Sequence, residues 1–201
     1  MTRLRVECPW DAEQTHRSLA KHLIEETAEV VDALESGASD DQLDDDDLRE
    51  ELGDLLLQIY FHAEIARTQD RFSIEDVARD ICDKLVHRHP WVFAGHGAPE
   101  DMMGTWEAAK RAEKQRTSAL EGIPDSLNTL ARAGKTVSRT RHVHLEVPMA
   151  DAPITAAQVG TEILALVQRA QASGIDADQA TRDALRTFED EVRQAEQRRA
   201  S

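Results

Sequence analysis

The chain has 201 residues, enough for one sizeable core or two small ones, so it needs neither disulfides nor a structural metal to fold. Its two cysteines, Cys8 and Cys82, lie far apart without the CxxC spacing of a zinc site, which excludes a disulfide scaffold and predicts free thiols in a reducing cytoplasm. With 39 Asp and Glu against 24 Lys and Arg, the formal net charge is −15, which argues against binding nucleic acid or an anionic membrane surface.

Charged residues at 31%, with only 9 Gly and 6 Pro, predict an all-α protein, and no apolar run is long enough for a signal peptide or a membrane span. Apolar residues at helical spacing predict a first helix over about residues 15–36. A polar loop over residues 37–47 then leads into a second helix over about residues 47–67. Ser73 and Asp76 form a capping pattern for a third helix that ends at His89-Pro90.

The second half of the chain begins with a predicted loop over residues 91–99 and a fourth helix over about residues 100–115. A turn at residues 122–125 introduces a fifth helix over about residues 126–139. Residues 141–153 alternate weakly and contain two prolines, which predicts a linker or a short edge strand. Residues 155–200 are predicted as a helical hairpin with a break at Ser173-Gly174.

Each helix of this hairpin has an apolar stripe, which predicts packing on the bundle or on another subunit. The stripes comprise Ile163, Leu166 and Val167, then Leu185, Phe188 and Val192.

Four carboxylates stand at positions where helices present them to one another. Glu26 falls inside the apolar stripe of the first helix, and Glu29 lies one turn on at the edge of the same face. The second helix repeats this i, i+3 spacing with Glu51 and Asp54, in a helix so apolar that we expect it to be largely buried. An antiparallel hairpin of the two helices would bring all four carboxylates together.

Such a group of like charges needs compensation, because two carboxylates about 4 Å apart repel by on the order of 4 kcal/mol at an effective dielectric constant of about 20. Protonation would relieve the repulsion, and solvation on exposed acidic faces would reduce it. A hard divalent cation offsets it better. Since no Cys or His completes a tetrahedral set, the pattern favours Mg²⁺, or Mn²⁺ as a substitute, over zinc.

The motif Glu25-Glu26-x-x-Glu29, followed by Glu51-x-x-Asp54, resembles the signature of MazG nucleoside triphosphate pyrophosphohydrolases. The likeness extends over about residues 8–135, and its further segments are residues 8–11, 23–26, 50–56, 84–90, 106–110 and 120–124. It implies an all-α bundle of antiparallel helix hairpins that assembles as a dimer or a higher homo-oligomer. It also implies Mg²⁺-dependent hydrolysis of nucleoside triphosphates to the monophosphate and pyrophosphate, in a broad house-cleaning role.

By this resemblance the metal ligands would be Glu26, Glu29, Glu51 and Asp54, and the nucleotide contacts would be Lys84, Arg88, Trp106 and Lys110. We assign catalytic roles to Glu25, Glu26 and Glu51. Glu25 is the first candidate for the general base and Glu50 the alternative, because each adjoins a proposed ligand in sequence. The expected domains are a MazG-like catalytic domain over residues 1–140, a linker over residues 141–154 and a C-terminal helical hairpin over residues 155–201.

The proposed nucleotide contacts also follow from spacing. Lys84 and Arg88 stand one turn apart and form a fork for phosphate oxygens, although a salt bridge to acidic neighbours is the alternative. Trp106 and Lys110 repeat the spacing and suit a base with its phosphate, although a buried core tryptophan is the commoner case.

Other interpretations of the motif remain open at this point. A dUTPase-like or a phosphoribosyl-ATP pyrophosphohydrolase would share the carboxylates and differ in the base pocket. A helical regulatory module would bind nucleotide or metal without turnover. Trp91 departs from the histidine expected after His89-Pro90 and could alter base preference, whereas His142 and His144 lack a third ligand and are interpreted as exposed polar residues.

Overall fold

The computed structural model describes residues 1–37, 39–95 and 97–200, and within these residues it contains helices and no strand, so the all-α prediction is confirmed. A short 3-10 helix spans Asp40–Gln42. No helix in these ranges is both long and apolar enough to cross a bilayer. The α-helices are α1 (Thr2–Glu7), α2 (Pro9–Glu13), α3 (Ala20–Glu35), α4 (Asp45–Arg67), α5 (Ile74–Arg88), α6 (Pro90–Phe93), α7 (Met102–Glu113), α8 (Thr129–His142), α9 (Ala156–Ala172) and α10 (Ala177–Ala200).

The chain divides into two compact units, Met1–Ala94 and Gly95–Ser201. The first unit contains α1 to α6, and the second contains α7 to α10. The sequence-based division into residues 1–140, 141–154 and 155–201 places its boundaries elsewhere and stays a prediction about domains.

The helix starts follow from side chains that satisfy free backbone N–H groups. Asp44 caps α4, since its carboxylate accepts hydrogen bonds from the backbone N–H groups of Asp46 and Asp47 at 3.0 and 3.2 Å. With this cap, α4 begins at Asp45, two residues before the predicted start at about residue 47. Ser73 and Asp76 form the predicted capping box at the start of α5.

Several short elements differ from the prediction. The helices α1 and α2 were not predicted, since six and five residues are too few to show a helical apolar period. The predicted loop over residues 91–99 begins with one helical turn, α6, because Pro90 stands at its first position, where no N–H is needed. The stretch after α8 forms no strand in the described residues, so the alternative of a short edge strand is not observed there.

The core of the first unit joins the start of α3 to the end of α4. Leu19 is fully buried and packs with Phe61 and Ile65. Since the residue before α3 meets the C-terminal half of α4, the two helices run antiparallel, as predicted. Trp10 contacts Phe61 edge to face, with ring centroids 6.3 Å apart, and so attaches α2 to this core.

The remaining surface of α4 corrects the expectation that this helix is largely buried. Five large apolar side chains of its middle section are between 41% and 50% exposed, namely Leu52, Leu56, Leu57, Ile59 and Tyr60. The chain by itself covers only one side of the helix, because α4 is apolar on more than one face.

Two histidines form a stacked pair beside this core. The rings of His16 and His62 are 5.1 Å apart and nearly parallel, their Nδ1 atoms are 2.8 Å apart, and Arg71 contacts Nε2 of His16. Burial lowers the pKa of both histidines, and for His16 repulsion from His62 and Arg71 adds to the decrease.

We therefore expect stability to fall with acidification. Because the pKa of each ring is lower in the folded protein than the value of about 6.5 in the unfolded chain, the unfolded chain binds more protons, and folding free energy is lost as the pH falls below about 6.5. Below that pH the free energy of unfolding falls by up to about 1.4 kcal/mol per pH unit for each histidine. Urea unfolding of wild type and His62→Asn between about pH 5 and 8 measures it; His87→Asn, an exposed position, is the control. An equal slope in wild type and His62→Asn would contradict the assignment.

The second unit is built around α10. Val192 and Ala195 are buried with Ala119 and Val147, and Phe188 packs against this cluster. The apolar stripe predicted for α10 therefore packs into the core of the second unit. In contrast, Ile163, Leu166 and Val167 on α9 stay exposed. The predicted break between the two helices is present, with Gly174 at φ +70°, a conformation that glycine adopts without strain.

Candidate active site

The α3 and α4 pair brings three of the predicted metal ligands together. One carboxylate oxygen from each of Glu26, Glu51 and Asp54 lies within 4.8 Å of the other two. Glu26 and Glu51 are half-buried, whereas Asp54 is exposed, so the group lies at the edge of the helix interface and is open to solvent on one side. We call these three residues the carboxylate group.

A buried glutamine supports the carboxylate group. Gln58 lies on α4 one turn beyond Asp54, is 5% exposed, and donates from Nε2 to Oε1 of Glu26 at 3.4 Å. Its own Oε1 is buried without a hydrogen-bond partner in the described residues. Sequence reasoning missed this residue, although the signal was present as a polar side chain inside the apolar run of α4, on the face of Glu51 and Asp54.

The electrostatics of the group show uncompensated negative charge. Burial raises the pKa of Glu26 above its usual range, and its interaction with Glu29 adds to the rise, as does repulsion from Asp54 and Glu51. Desolvation also raises the pKa of Glu51, and repulsion from Glu29 is the next cause. A group whose ionised form is disfavoured in this way gains from a bound cation.

The donor set fits a hard divalent cation. All three members offer carboxylate oxygens, the ligands that Mg²⁺ and Mn²⁺ prefer, and no histidine or cysteine belongs to the group in the described part of the chain. The solvent-open side leaves room for water and phosphate oxygens, which Mg²⁺ retains in most protein sites.

The other two predicted acidic residues lie beside the group. Glu29 is exposed and stands outside the three-residue set, but its charge contributes to the raised pKa of both Glu26 and Glu51. Glu25 is exposed too, and its Oε2 lies 3.0 Å from Nδ1 of His22. The structure thus pairs Glu25 with a histidine, and its role as general base stays a prediction.

The first unit also carries Lys84 and Arg88 on α5. Lys84 is half-buried and forms no ion pair with any residue that the structure describes, which disfavours the salt-bridge alternative for this residue. Arg88 is 8% exposed. Their roles as phosphate contacts stay predictions.

In the second unit, the predicted pair on α7 is formed. The Nζ of Lys110 lies 4.4 Å from the centroid of the Trp106 ring and 3.6 Å from Oε1 of Glu107. Burial lowers the pKa of Lys110, while Glu107 acts in the opposite direction. Trp106 is half-buried, so the alternative of a fully buried core tryptophan does not apply.

Comparison with known proteins shows which family the chain is similar to. Residues 14–93, which include the carboxylate group, match the model of the MazG nucleotide pyrophosphohydrolase domain. A Streptomyces cacaoi protein described as an uncharacterized 26.1 kDa protein is 41% identical over 98% of this chain and 79% of its own length.

Two further relatives are named nucleoside triphosphate pyrophosphohydrolase. The Mycobacterium tuberculosis protein is 40% identical over 98% of this chain and 56% of its own length. The Escherichia coli K12 protein is 45% identical over 68% of this chain and 51% of its own length. This chain thus spans about half the length of these named relatives.

Proposed function

The chain belongs to the MazG nucleotide pyrophosphohydrolase family, and from that premise we propose that it hydrolyses nucleoside triphosphates to the monophosphate and pyrophosphate. The single observation that carries the proposal is the convergence of Glu26, Glu51 and Asp54 within 4.8 Å on two packed helices. Removal of surplus or damaged nucleotides from the cellular pool is the broad role that this activity supports. Both cysteines are free thiols, which fits the cytoplasm as the compartment.

The carboxylate group is the proposed holder of Mg²⁺, with Mn²⁺ as a substitute and Glu29 as an additional ligand from the adjacent turn. When bound, the cation supplies charge neutralisation at the phosphate oxygens and activation of a water. Gln58 holds the carboxylate of Glu26 in place through its hydrogen bond. The amide of Gln58 is uncharged, so it does not compete with the cation for this carboxylate.

The basic residues are proposed to bind the triphosphate. Lys84 has no ion-pair partner in the described residues, so its ammonium is available to phosphate oxygens and stabilises the charge of departing pyrophosphate. Arg88, Lys110 and the ring of Trp106 are the other proposed contacts. Glu25 is the proposed general base, with His22 as its neighbour at 3.0 Å.

Lys84→Ala is expected to raise KM and lower kcat, reducing kcat/KM by about 10- to 100-fold, because a charge-assisted contact to phosphate is worth about 1.5–3 kcal/mol. Steady-state release of pyrophosphate measures the change. Lys21→Ala removes one exposed lysine from α3 and serves as the control. Unchanged kinetics in Lys84→Ala would remove this residue from the substrate site.

The function is tested by measuring pyrophosphate and monophosphate release from a panel of ribo- and deoxyribonucleoside triphosphates, with Mg²⁺, with Mn²⁺ and with EDTA. Release from several bases with either metal, and none with EDTA, is expected. Release from dUTP alone would indicate a dUTPase-like enzyme. Phosphoribosyl-ATP is tested beside the panel, and release from it alone would indicate a phosphoribosyl-ATP pyrophosphohydrolase. Binding without release from any substrate would indicate a regulatory module and overturn the proposal.

A homodimer or a higher homo-oligomer is the proposed assembly, because the exposed apolar side chains of α4 need a cover. Leu52 and Leu56 are about half exposed and lie on the helix that carries the carboxylate group. Sedimentation velocity of wild type and Leu56→Glu tests this assembly. We expect wild type to sediment as an oligomer and the variant as a smaller species; a monomeric wild type would contradict the proposal.

A further inference from the structure

A second polar site lies entirely within the second compact unit. A cleft of about 550 Å³ opens between α7, residues 116–119, the C-terminal end of α8 and the end of α10. We call it the arginine cleft, because Arg111, Arg116, Arg139 and Arg199 all line it. Four guanidinium groups in one cleft are an unusual concentration of positive charge in a chain with a net charge of −15.

The arginines of the cleft differ from several other arginines of this unit in their partners. None of the four forms an ion pair with a residue in the described ranges, whereas arginines elsewhere on α10 do so repeatedly. Instead, Arg111 donates from Nε to the carbonyl oxygen of Arg116 at 3.3 Å, and Arg199 donates from Nη1 to that of Val143 at 2.7 Å. These bonds to backbone carbonyl oxygens orient the guanidinium groups without neutralising their charge.

Two glutamates also line the cleft, and each contacts a group other than the four arginines; Glu107 in addition attracts Arg139 and opposes the decrease in its pKa. Glu107 lies 3.6 Å from Nζ of Lys110, and Oε1 of Glu196 accepts a hydrogen bond from the backbone N–H of Ala119 at 2.7 Å. The positive charge of the cleft therefore exceeds the negative charge.

Among the four arginines of the cleft, Arg139 is the most deeply buried. It is 7% exposed, and its Nη1 donates to the carbonyl oxygen of Glu121 at 2.6 Å. Its Nε is buried without a hydrogen-bond partner in the described residues, an arrangement that costs free energy for a charged donor. Burial lowers the pKa of Arg139, and repulsion from Arg116 lowers it further.

We propose that the arginine cleft binds a phosphorylated small molecule, with the phosphate oxygens held by Arg116, Arg139 and Arg199. Guanidinium groups bind phosphate through paired N–H donors, and a doubly charged phosphate supplies the compensation that the cleft lacks. The volume lies in the range of small-molecule sites, and Val143 and Leu145 supply apolar wall for an organic portion.

This site is one for binding and not for hydrolysis. The carboxylate group that could hold a divalent cation is formed by α3 and α4, and no comparable acidic group lines the arginine cleft in the described residues. Binding there needs no metal, which separates it experimentally from the proposed metal-dependent hydrolysis.

The test is isothermal titration calorimetry of the full chain in EDTA, with inorganic pyrophosphate and with AMP in separate experiments. Arg116→Gln and Arg139→Gln are expected to weaken binding at least about tenfold. Arg169→Gln, which removes an exposed arginine from α9, is expected to bind as wild type does. Arg116 is only half-buried, so its variant tests the cleft even if Arg139→Gln fails to fold.

The outcomes are distinct. Tighter binding of AMP would identify a nucleotide as the ligand source, and tighter binding of pyrophosphate an inorganic one; both support the site. No binding of either probe by wild type would overturn the proposal. Equal weakening in Arg169→Gln would also overturn it, since diffuse charge would then explain the binding. If Lys84→Ala loses binding while Arg116→Gln and Arg139→Gln bind as wild type does, the binding belongs to the first unit and the proposal is wrong.

Discussion

Glu51→Gln is expected to lower kcat for pyrophosphate release by at least about 100-fold. Substituting a residue that only supports a metal ligand already lowers metal affinity or activity by about 10- to 100-fold. The substitution keeps the volume of the side chain and removes one of three carboxylates that lie within 4.8 Å of one another. It also relieves repulsion in the metal-free protein, so its melting temperature without Mg²⁺ is expected to equal or exceed that of wild type.

The matched control is Asp45→Asn, which removes one exposed carboxylate from the first turn of the same helix. Its activity is expected to stay close to that of wild type. Added Mg²⁺ is expected to raise the melting temperature of wild type and of Asp45→Asn but not that of Glu51→Gln. Activity retained in Glu51→Gln would reject the ligand assignment, whatever the thermal shift.

Glu189→Ala is expected to reduce the free energy of unfolding of the chain by about 2–3 kcal/mol. Glu189 is 4% exposed and accepts hydrogen bonds from Nε and Nη2 of Arg132 at 3.1 and 3.0 Å, which joins α10 to α8. Removing it leaves Arg132 without its buried partner. The expected loss is smaller than for a fully buried pair, because Arg132 is partly exposed and also contacts Asp125.

Urea unfolding of Glu189→Ala and of Asp190→Ala measures this difference. Asp190 is the next residue on α10, and its ion pair with Arg193 is exposed. Exposed pairs contribute at most about 1 kcal/mol, so Asp190→Ala is expected to unfold nearly as wild type does. Equal effects of the two substitutions would show that burial of Glu189 does not govern its contribution.

The sequence predicted the regions that local chemistry governs. The capping box at Ser73 and Asp76 and the break at Gly174 depend on neighbouring residues, and both were found where the sequence places them. The meeting of Glu26 with Glu51 and Asp54 was predictable as well, because helical spacing fixes each face and a short loop requires an antiparallel pair.

Other features depend on contacts between residues distant in the chain. The bond from Gln58 to Glu26 crosses two helices, so the sequence shows only a polar residue in an apolar run. The exposure of Leu56 is also a tertiary result, because an apolar residue in a pattern does not reveal whether its own chain covers it. The two apolar stripes of the C-terminal hairpin look alike in sequence, yet only that of α10 is buried.

The sequence by itself therefore determined the helical class, the order of the long helices and the acidic face that α3 and α4 share, since these follow from periodicity within single segments. Only the tertiary structure decided that Glu29 stands outside the carboxylate group and that the boundary between the two compact units falls between residues 94 and 95. It alone revealed the arginine cleft, because Arg111, Arg139 and Arg199 belong to three different helices, and no local pattern encodes the packing that brings their charges to one cleft.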